Sequence, residues 1–155
     1  MFRTIKASVE HARQMKLGRK LVLEIGEEQF KATFLEDRAP KSCAVIKKLL
    51  PIEGKVIHAR WSGEAIWLPL PTLDVSVELE NQTAYPSKGE LLFYPGFVSE
   101  KEILIPYGSI VFASKAGLLP GNHFASIVED LPALSRMGNR VLWEGAKRIR
   151  IKIEE

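Results

Sequence analysis

The stretch LVLEIGEEQFKATFLEDRAPKSCAVIKKLL, residues 21–50, decides the fold class. It opens with a short β-like run, Leu21–Ile25, and continues after a Gly-Glu-Glu turn into residues 30–35, where apolar and polar side chains alternate. These two runs predict an antiparallel hairpin. Pro40 then begins an amphipathic helix, because the N–H that proline lacks would have no partner in the first helical turn. Apolar residues recur at helical spacing until Pro51 ends the run.

Beyond this stretch the chain consists of short apolar runs separated by glycine, proline and asparagine. The predicted strands are residues 56–61, 64–68, 75–79, 90–94, 102–105, 109–113, 124–128 and 148–153. A second, short helix is predicted over residues 131–137, with Asp130 as its N-cap and Gly138 at its end. Many short strands with only two helices predict a mainly β protein, a closed antiparallel barrel with helices over its ends, because closure removes exposed strand edges.

The charges are distributed unevenly along the 155 residues. The chain has 22 Lys and Arg against 19 Asp and Glu, and residues 1–20 hold six of the basic residues and one acidic residue. We therefore predict an N-terminal basic arm or helix over residues 1–19 and a barrel domain over residues 20–155. The basic residues of segment 147–152 alternate with isoleucines, which is typical of a strand with its charges turned outward. Since binding several phosphates needs clustered cations, we expect no nucleic-acid partner.

The sequence argues against several other classes of function. No apolar stretch approaches the roughly 18 residues of a membrane-spanning helix, and the N-terminal residues lack the apolar core of a secretory signal. We therefore expect no membrane partner and a cytoplasmic location. Cys43 lies in an apolar run and is interpreted as a buried hydrophobe rather than a nucleophile. Three dispersed histidines, without a zinc or phosphate-binding motif, predict no metal and no cofactor.

Residues 60–67, Arg-Trp-Ser-Gly-Glu-Ala-Ile-Trp, are the most informative candidate site. If the preceding run is a strand, Arg60 points away from its apolar face, and the Ser-Gly turn returns Glu64 towards it. One interpretation is an exposed ion pair, which contributes about 0–1 kcal/mol. The other is a ligand site in which Arg60 clamps a carboxylate beside an aromatic wall, Trp61 or Trp67. In that site Glu64 orients the ligand or acts as a base.

A second candidate is the loop of residues 117–124. His123 is suited to acid–base chemistry near neutral pH, with the Asn122 amide as a donor beside it. Alternatively, Asn122 is a turn residue and His123 opens the following strand. Lys115 is a catalytic amine if it is buried and a solvated loop lysine otherwise. Three more residues suit either a pocket rim or a structural role, namely Asn81, Tyr85 and Tyr94.

The residues before the first helix resemble those of the cyclophilins. In that family a strand runs into a Pro-Lys-Thr/Ser motif that opens the first helix, and here Pro40, Lys41 and Ser42 carry the motif. Other segments resemble a narrower, prokaryotic family of cyclophilin-like barrels whose biochemical function is not established. These segments are residues 57–67, 81–86, 89–96, 112–115 and 121–124, and the resemblance extends over roughly residues 20–153. It implies an eight-stranded barrel with two helices.

Together these observations predict a protein that binds or acts on a small anionic or amide-containing molecule in a pocket at the barrel mouth. The predicted catalytic residues are Arg60, Glu64 and His123, and the predicted ligand-binding residues are Trp61, Trp67, Asn81, Tyr85, Tyr94 and Asn122. The resemblance leaves a peptidyl-prolyl cis-trans isomerase as an alternative, with Arg60 in the place of the cyclophilin arginine. Fold-level analogy leaves a non-catalytic interaction subunit of a larger enzyme. Whether the protein is an enzyme, and whether it forms a homo-oligomer, stays open.

Overall fold

The computed structural model describes residues 18–155. The predicted N-terminal arm or helix, residues 1–19, therefore lies almost entirely outside the described residues. The predicted hairpin is present, because β1, Leu21–Ile25, pairs in antiparallel register with β2, Glu28–Phe34.

The remaining helices and strands follow one another with short connections. They are α1 (Pro40–Leu49), β3 (Ile52–His58), β4 (Gly63–Pro69), β5 (Gln82–Thr83), β6 (Glu90–Tyr94), β7 (Glu102–Ile110), β8 (Ala113–Ser114), β9 (Gly117–Leu118), β10 (Gly121–Ile127), α2 (Leu131–Glu144) and β11 (Lys147–Ile153). Within the described part of the chain, neither helix has the length and apolar character needed to cross a membrane.

Eight of the strands close into an antiparallel barrel. Their order is β2-β1-β11-β3-β4-β7-β6-β10, and β10 pairs back onto β2, with Ala125 opposite Phe34 and Ile127 opposite Ala32. The short β5 pairs with β10, while β8 and β9 form a separate two-stranded ribbon. The predicted fold class, a mainly β protein with a closed eight-stranded barrel and two helices, is confirmed.

The barrel interior follows from the alternation of side chains along each strand. On β11, Ile149 and Ile151 are buried in the main core cluster, while the basic side chains beside them face outward. Lys152 Nζ, for example, lies 2.8 Å from a carboxylate oxygen of Glu24 on the neighbouring strand β1. The alternation predicted for this strand is therefore confirmed.

Strands β4, β6 and β7 are buried on both faces. One face contributes to the barrel interior, where Ile66 and Ile103 lie. The opposite, outer face carries a second apolar cluster, which segment 112–119 covers. Its buried members are Ala65, Leu92, Tyr94, Leu104, Phe112 and Leu119. The candidate site lies on this covered outer face.

Strand β7 replaces two predicted strands. Residues 102–105 and 109–113 are predicted as separate strands, but a single strand runs from Glu102 to Ile110. Pro106 does not interrupt it, because it lies opposite Ala65 where the register between β4 and β7 shifts. The Pro-Tyr-Gly sequence, residues 106–108, therefore forms part of strand β7 and not a turn.

The strand predicted over residues 75–79 is not formed. The backbone of this segment binds the side-chain amide of Asn122 instead of a neighbouring strand. Asn122 Oδ1 accepts a hydrogen bond from the Glu80 N–H at 3.0 Å, and Asn122 Nδ2 donates to the Glu78 carbonyl at 3.0 Å. The apolar alternation of the segment reflects partial burial, with Val77 in the core.

Helix α2 is longer than predicted and continues past Gly138 to Glu144. Gly138 is buried, and a Cβ placed on it would lie 2.1 Å from Cδ1 of Tyr107. The glycine therefore allows the helix to approach β7 closely and does not end it. Asp130, the predicted N-cap, precedes the helix, but its side chain makes no capping hydrogen bond.

The single cysteine is buried beneath β10, as expected. Its thiol lies 3.3 Å from the Phe124 carbonyl oxygen. Burial raises the pKa of the Cys43 thiol to about 12, which keeps the sulfur protonated near neutral pH. Cys43 therefore acts as a small buried hydrophobe.

Candidate functional site

A cavity of about 530 Å³ opens on the outer face of strands β3, β4 and β7. Its floor includes Ile57, Trp67 and Leu104, which lie side by side because Ile57 pairs with Trp67 and Trp67 pairs with Leu104. Since side chains alternate along a strand, these residues point away from the interior, where Ile66 and Ile103 pack. The cavity therefore lies beside the second apolar cluster and not at the barrel mouth, where the sequence analysis places it.

Three segments form the walls of the cavity. We call residues 59–62 the turn wall, residues 98–100 the loop wall and residues 113–116 the ribbon wall. The segments come from distant parts of the chain, so their mutual placement depends on contacts between them.

A buried serine joins the turn wall to the ribbon wall. The Ser62 hydroxyl donates to the Ala113 carbonyl at 3.0 Å and accepts from the Ala113 N–H at 3.1 Å. Gly63 follows with φ +90°, and a Cβ there would lie 2.8 Å from the Ser109 carbonyl oxygen. Glycine at this position thus permits the tight turn that brings the two walls together.

Tyr94 holds the loop wall in place from beneath. Its hydroxyl oxygen accepts hydrogen bonds from the N–H groups of Val98 at 3.0 Å and Ser99 at 3.3 Å. The ring is fully buried and packs edge-to-face on Phe112, with ring centroids 5.7 Å apart. Tyr94, predicted as a ligand-binding residue, does not line the cavity and instead positions one of its walls.

Three of the predicted site residues line the cavity together, namely Arg60, Trp61 and Trp67. Strand β3 ends at His58 rather than at residue 61, so Arg60 and Trp61 belong to the turn wall. Trp61 is 57% exposed, whereas Trp67 is half-buried in the floor. Lys115, weighed as an amine or a solvated lysine, is exposed and lines the ribbon wall. The cavity therefore combines two cationic side chains with two indoles.

The ring of His58, at the base of the turn wall, is held in one orientation. Its Nδ1 lies 2.8 Å from the Ala59 carbonyl oxygen, and its Nε2 lies 2.7 Å from the Tyr107 hydroxyl. Because a carbonyl only accepts, Nδ1 is the donor to Ala59, while Nε2 shares a hydrogen bond with the Tyr107 hydroxyl. Burial raises the pKa of Tyr107, which keeps its phenol protonated near neutral pH.

Glu102 is a cavity residue that the sequence analysis missed. It is 7% exposed, lines the cavity, and shares the outer face of β7 with Leu104. No described residue donates a hydrogen bond to its carboxyl group. Burial, with a smaller contribution from the nearby Glu100, raises the pKa of Glu102 to about 8. The signal in the sequence is the run Glu-Ile-Leu-Ile-Pro-Tyr, whose near-continuous apolar character indicates a strand buried on both faces.

Glu64 does not line the cavity. Its carboxylate accepts a hydrogen bond from the Ser109 N–H at 2.9 Å and lies over Gly108, where an added Cβ would be 2.5 Å away. The ion pair expected between Glu64 and Arg60 is not among those formed by residues 18–155. Glu64 thus binds the backbone of β7 in this structure.

His123 belongs to a separate cluster on β10. Its Nε2 lies 2.7 Å from Ser126 Oγ, and its Nδ1 lies 3.2 Å from a carboxylate oxygen of Glu90. A register shift between His123 and Ala125 allows residues three apart to lie on one face of the strand. Burial lowers the pKa of His123, which favours the neutral imidazole. Hydroxyl, imidazole and carboxylate are in hydrogen-bond order, but none of the three lines the cavity.

The remaining predicted site residues also lie away from the cavity. Asn122 is buried, and besides its contacts with segment 75–80 it donates to Ser42 Oγ at 3.0 Å. Asn81 adopts φ +48° and donates from Nδ2 to the His123 carbonyl at 2.9 Å. Tyr85 is 67% exposed and does not line the cavity. The two asparagines therefore connect β10 to the segment before β5.

Fold and cavity together define an eight-stranded antiparallel barrel protein with a ligand-sized site on its outer face. Residues 21–153 match the model of the family described as a protein of unknown function, DUF3830, and the chain belongs to that family. No curated protein matches the chain in sequence. Within the described residues, no three His, Cys, Asp or Glu side chains are grouped as a metal ion would require.

Two solved structures have a similar fold. One is McbB in complex with tryptophan, with a TM-score of 0.68 and 22% identity over 85% of this chain and 44% of McbB. The chain thus spans less than half the length of McbB. The other is the solution structure of the hypothetical protein AF2241 from Archaeoglobus fulgidus, with a TM-score of 0.61 and 16% identity over 89% of this chain and 96% of that protein. At these identities the similarity shows the fold alone.

Proposed function

We propose that the protein binds a small organic anion with a flat apolar body in the cavity on the outer face of β3, β4 and β7. The observation that carries the proposal is the gathering of Arg60 and Lys115 with Trp61 and Trp67 around one cavity. A planar guanidinium pairs with a carboxylate through two parallel hydrogen bonds. The indoles provide a broad apolar surface against which a flat ring can pack.

The size and construction of the cavity fit a small ligand. A volume of about 530 Å³ lies within the range of roughly 300–1,000 Å³ that is usual for small-molecule sites. Its walls are held by the hydroxyls of Ser62 and Tyr94, so the site is largely formed before a ligand enters. The structure of McbB, which has a similar fold, was solved in complex with tryptophan. Tryptophan carries a carboxylate and a flat ring, so the McbB complex supports the same ligand class for this protein.

Isothermal titration calorimetry with indole-3-propionate, 3-phenylpropionate and benzoate tests the proposal. We expect at least one of these anions to bind, and Arg60→Gln to weaken its binding about tenfold or more, because a hydrogen bond to a charged group contributes about 1.5–3 kcal/mol. Arg148→Gln is the matched control, since Arg148 is an exposed arginine on β11 and does not line the cavity. Binding that Arg60→Gln and Arg148→Gln leave equally unchanged, or no binding of any anion, would contradict the proposal.

A further inference from the structure

We infer that the ligand of this cavity carries an amine as well as a carboxylate, and that Glu102 is the side chain that binds the ammonium group. The ligand class is then a small zwitterion of the amino-acid type with an apolar ring. This inference rests on the proposed function and names its substrate class more narrowly.

The first support is the unpartnered state of the Glu102 carboxyl group. Burying a carboxyl group costs free energy unless a partner offsets the lost hydration. The residues opposite Glu102 in the sheet are Pro69 on β4 and Tyr94 on β6. Pro69 has no N–H to donate, and the hydroxyl of Tyr94 is hydrogen-bonded to the N–H groups of Val98 and Ser99 rather than to Glu102. Because Glu102 lines the cavity and no described residue donates to its carboxyl group, a ligand in the cavity can supply the missing donor.

The second support is the separation of charge within the cavity. The ionisable residues that line it are His58, Arg60, Glu100, Glu102 and Lys115. The two acids belong to the loop wall and the start of β7, whereas Arg60 and Lys115 belong to the turn and ribbon walls. Neither cation forms an ion pair with Glu102 among the described residues, and Lys101, next in the chain, donates to the Leu73 carbonyl instead. The described residues thus offer Glu102 no cation, and we assign that role to the ammonium group of the ligand.

An amino acid of this class presents its two charges from one carbon atom. Its ammonium group binds Glu102 at the start of β7, its ring packs on the Trp67 floor, and the exposed side chain of Arg60 extends from the turn wall to the adjacent carboxylate. Binding is linked to a proton, because Glu102 holds its own proton near neutral pH in the free protein. When the ammonium group binds, that proton leaves the carboxyl group and goes to solvent, and the carboxylate pairs with the ammonium.

The linkage has a definite sign. Below the pKa of about 8, ligand binding must displace a proton from Glu102, so affinity rises with pH by up to about tenfold per unit. Above that value the carboxyl group is already ionised, and affinity levels off. A ligand without an amine has no such dependence on Glu102.

Three probes of one shape separate the two charges. L-Tryptophan carries both, indole-3-propionate carries the carboxylate alone, and tryptamine carries the ammonium alone; phenylalanine, 3-phenylpropionate and phenethylamine repeat the series with a smaller ring. In calorimetry at pH 8 we expect the zwitterion to bind at least tenfold more tightly than its amine-free partner. Glu102→Gln should abolish this difference and leave the amine-free probe within about twofold of wild type. Glu27→Gln, an exposed acid in the β1–β2 turn, is the control and should retain the difference.

A second measurement uses the unaltered protein. Titrations at pH 7 in phosphate and in Tris, whose ionisation enthalpies differ, report the protons released on binding; we expect close to one for the amino acid and none for the amine-free probe. If the amine-free probe binds as tightly as the amino acid and no proton is released, the inference is overturned while the proposed anion site stands. If no probe of either series binds, the proposed function fails as well.

Discussion

Burial acts in opposite directions on the two ionisable side chains Glu102 and His123. Removal from water disfavours a charged form, so the pKa of the Glu102 carboxyl group rises to about 8 while the pKa of the His123 imidazole falls. The surroundings then differ, because His123 has Ser126 and Glu90 as hydrogen-bonding neighbours, whereas Glu102 has no such neighbour among the described residues. Neighbouring side chains therefore provide the hydrogen-bonding partners of His123, whereas a bound ligand can provide a partner for the Glu102 carboxyl group.

The raised pKa of Glu102 predicts how stability varies with pH. The folded protein keeps this proton up to about pH 8, while the unfolded chain loses it near pH 4.5. Unfolding therefore releases a proton between these values, and the free energy of unfolding falls as the pH rises through that window. Relative to Glu102→Gln, we expect wild type to lose several kcal/mol between pH 5 and pH 8, at about 1.36 kcal/mol per pKa unit.

Urea unfolding of both proteins at pH 5 and pH 8 measures this change. Glu27→Gln should follow wild type at both pH values, because Glu27 is exposed. A constant difference between wild type and Glu102→Gln across the window would show that the carboxyl group is not buried in the folded protein.

At the level of single residues, the sequence identifies the site in part. Arg60, Trp61 and Trp67 lie within eight residues of one another, so one turn and one strand pairing bring them together. Glu102 is missed because an acidic residue at the start of a strand is ordinarily exposed, and only the near-continuous apolar run that follows it indicates burial on both faces. Glu64 and His123 carry the residue types of a site, yet they bind the backbone of β7 and the neighbours on β6 and β10.

Among the structural elements, two buried hydroxyl groups help to hold the walls of the cavity in place, beside the backbone hydrogen bonds of the turn and the ribbon. The ribbon wall is joined to the turn wall through Ser62, and the loop wall rests on the Tyr94 hydroxyl. Each hydroxyl forms two hydrogen bonds with backbone groups, so its removal leaves two backbone groups without that hydrogen-bonding partner. The shape of the site is therefore sensitive to the loss of a single hydroxyl oxygen.

The variant Tyr94→Phe removes one of these oxygen atoms and keeps the buried ring. We expect it to lower the free energy of unfolding by about 1–3 kcal/mol, because two partly buried N–H groups lose their acceptor. It should also weaken the binding of the cavity ligand, since the loop wall is no longer anchored. Chemical unfolding and calorimetry with the best-binding anion measure the two effects.

The same change at Tyr85 is the control. Tyr85 is 67% exposed, and Tyr85→Phe should stay within about 0.5 kcal/mol of wild type, as exposed substitutions do. Equal stability and equal ligand affinity of Tyr94→Phe and Tyr85→Phe would contradict the role assigned to the buried hydroxyl.

Elements that are determined by the pattern of neighbouring residues could be predicted from the sequence. Elements that depend on contacts between distant segments could not. The first hairpin and β11 follow from alternation along short runs, and both are present. Helix α2 continues past Gly138, where the missing side chain leaves room for the Tyr107 ring. This contact between distant residues exists only in the folded chain, so the sequence pattern does not reveal it. The segment of residues 75–79 has strand-like alternation, but it pairs with no described strand, and the Asn122 side chain binds the Glu78 carbonyl and the Glu80 N–H at its end.

In the whole molecule, the barrel serves as a filled scaffold with the cavity on its outside. The interior is packed with apolar side chains from all eight strands, and the second cluster lies on the opposite face of β4, β6 and β7. The strand pattern alone predicts one apolar core inside the barrel, and therefore a pocket at the barrel mouth. It does not predict the second apolar cluster, on the outer face of the sheet. Ligand binding on the outer face requires no opening of the barrel.

The three tryptophans report directly on where a ligand binds. Trp61 and Trp67 line the cavity, whereas Trp143 is 84% exposed on α2 and does not. In a two-dimensional ¹H–¹⁵N spectrum titrated with indole-3-propionate, we expect the indole N–H signals of Trp61 and Trp67 to shift together with one dissociation constant while that of Trp143 stays in place. Unchanged signals from Trp61 and Trp67, or a shift of Trp143 alone, would contradict a ligand site on the outer face of the barrel.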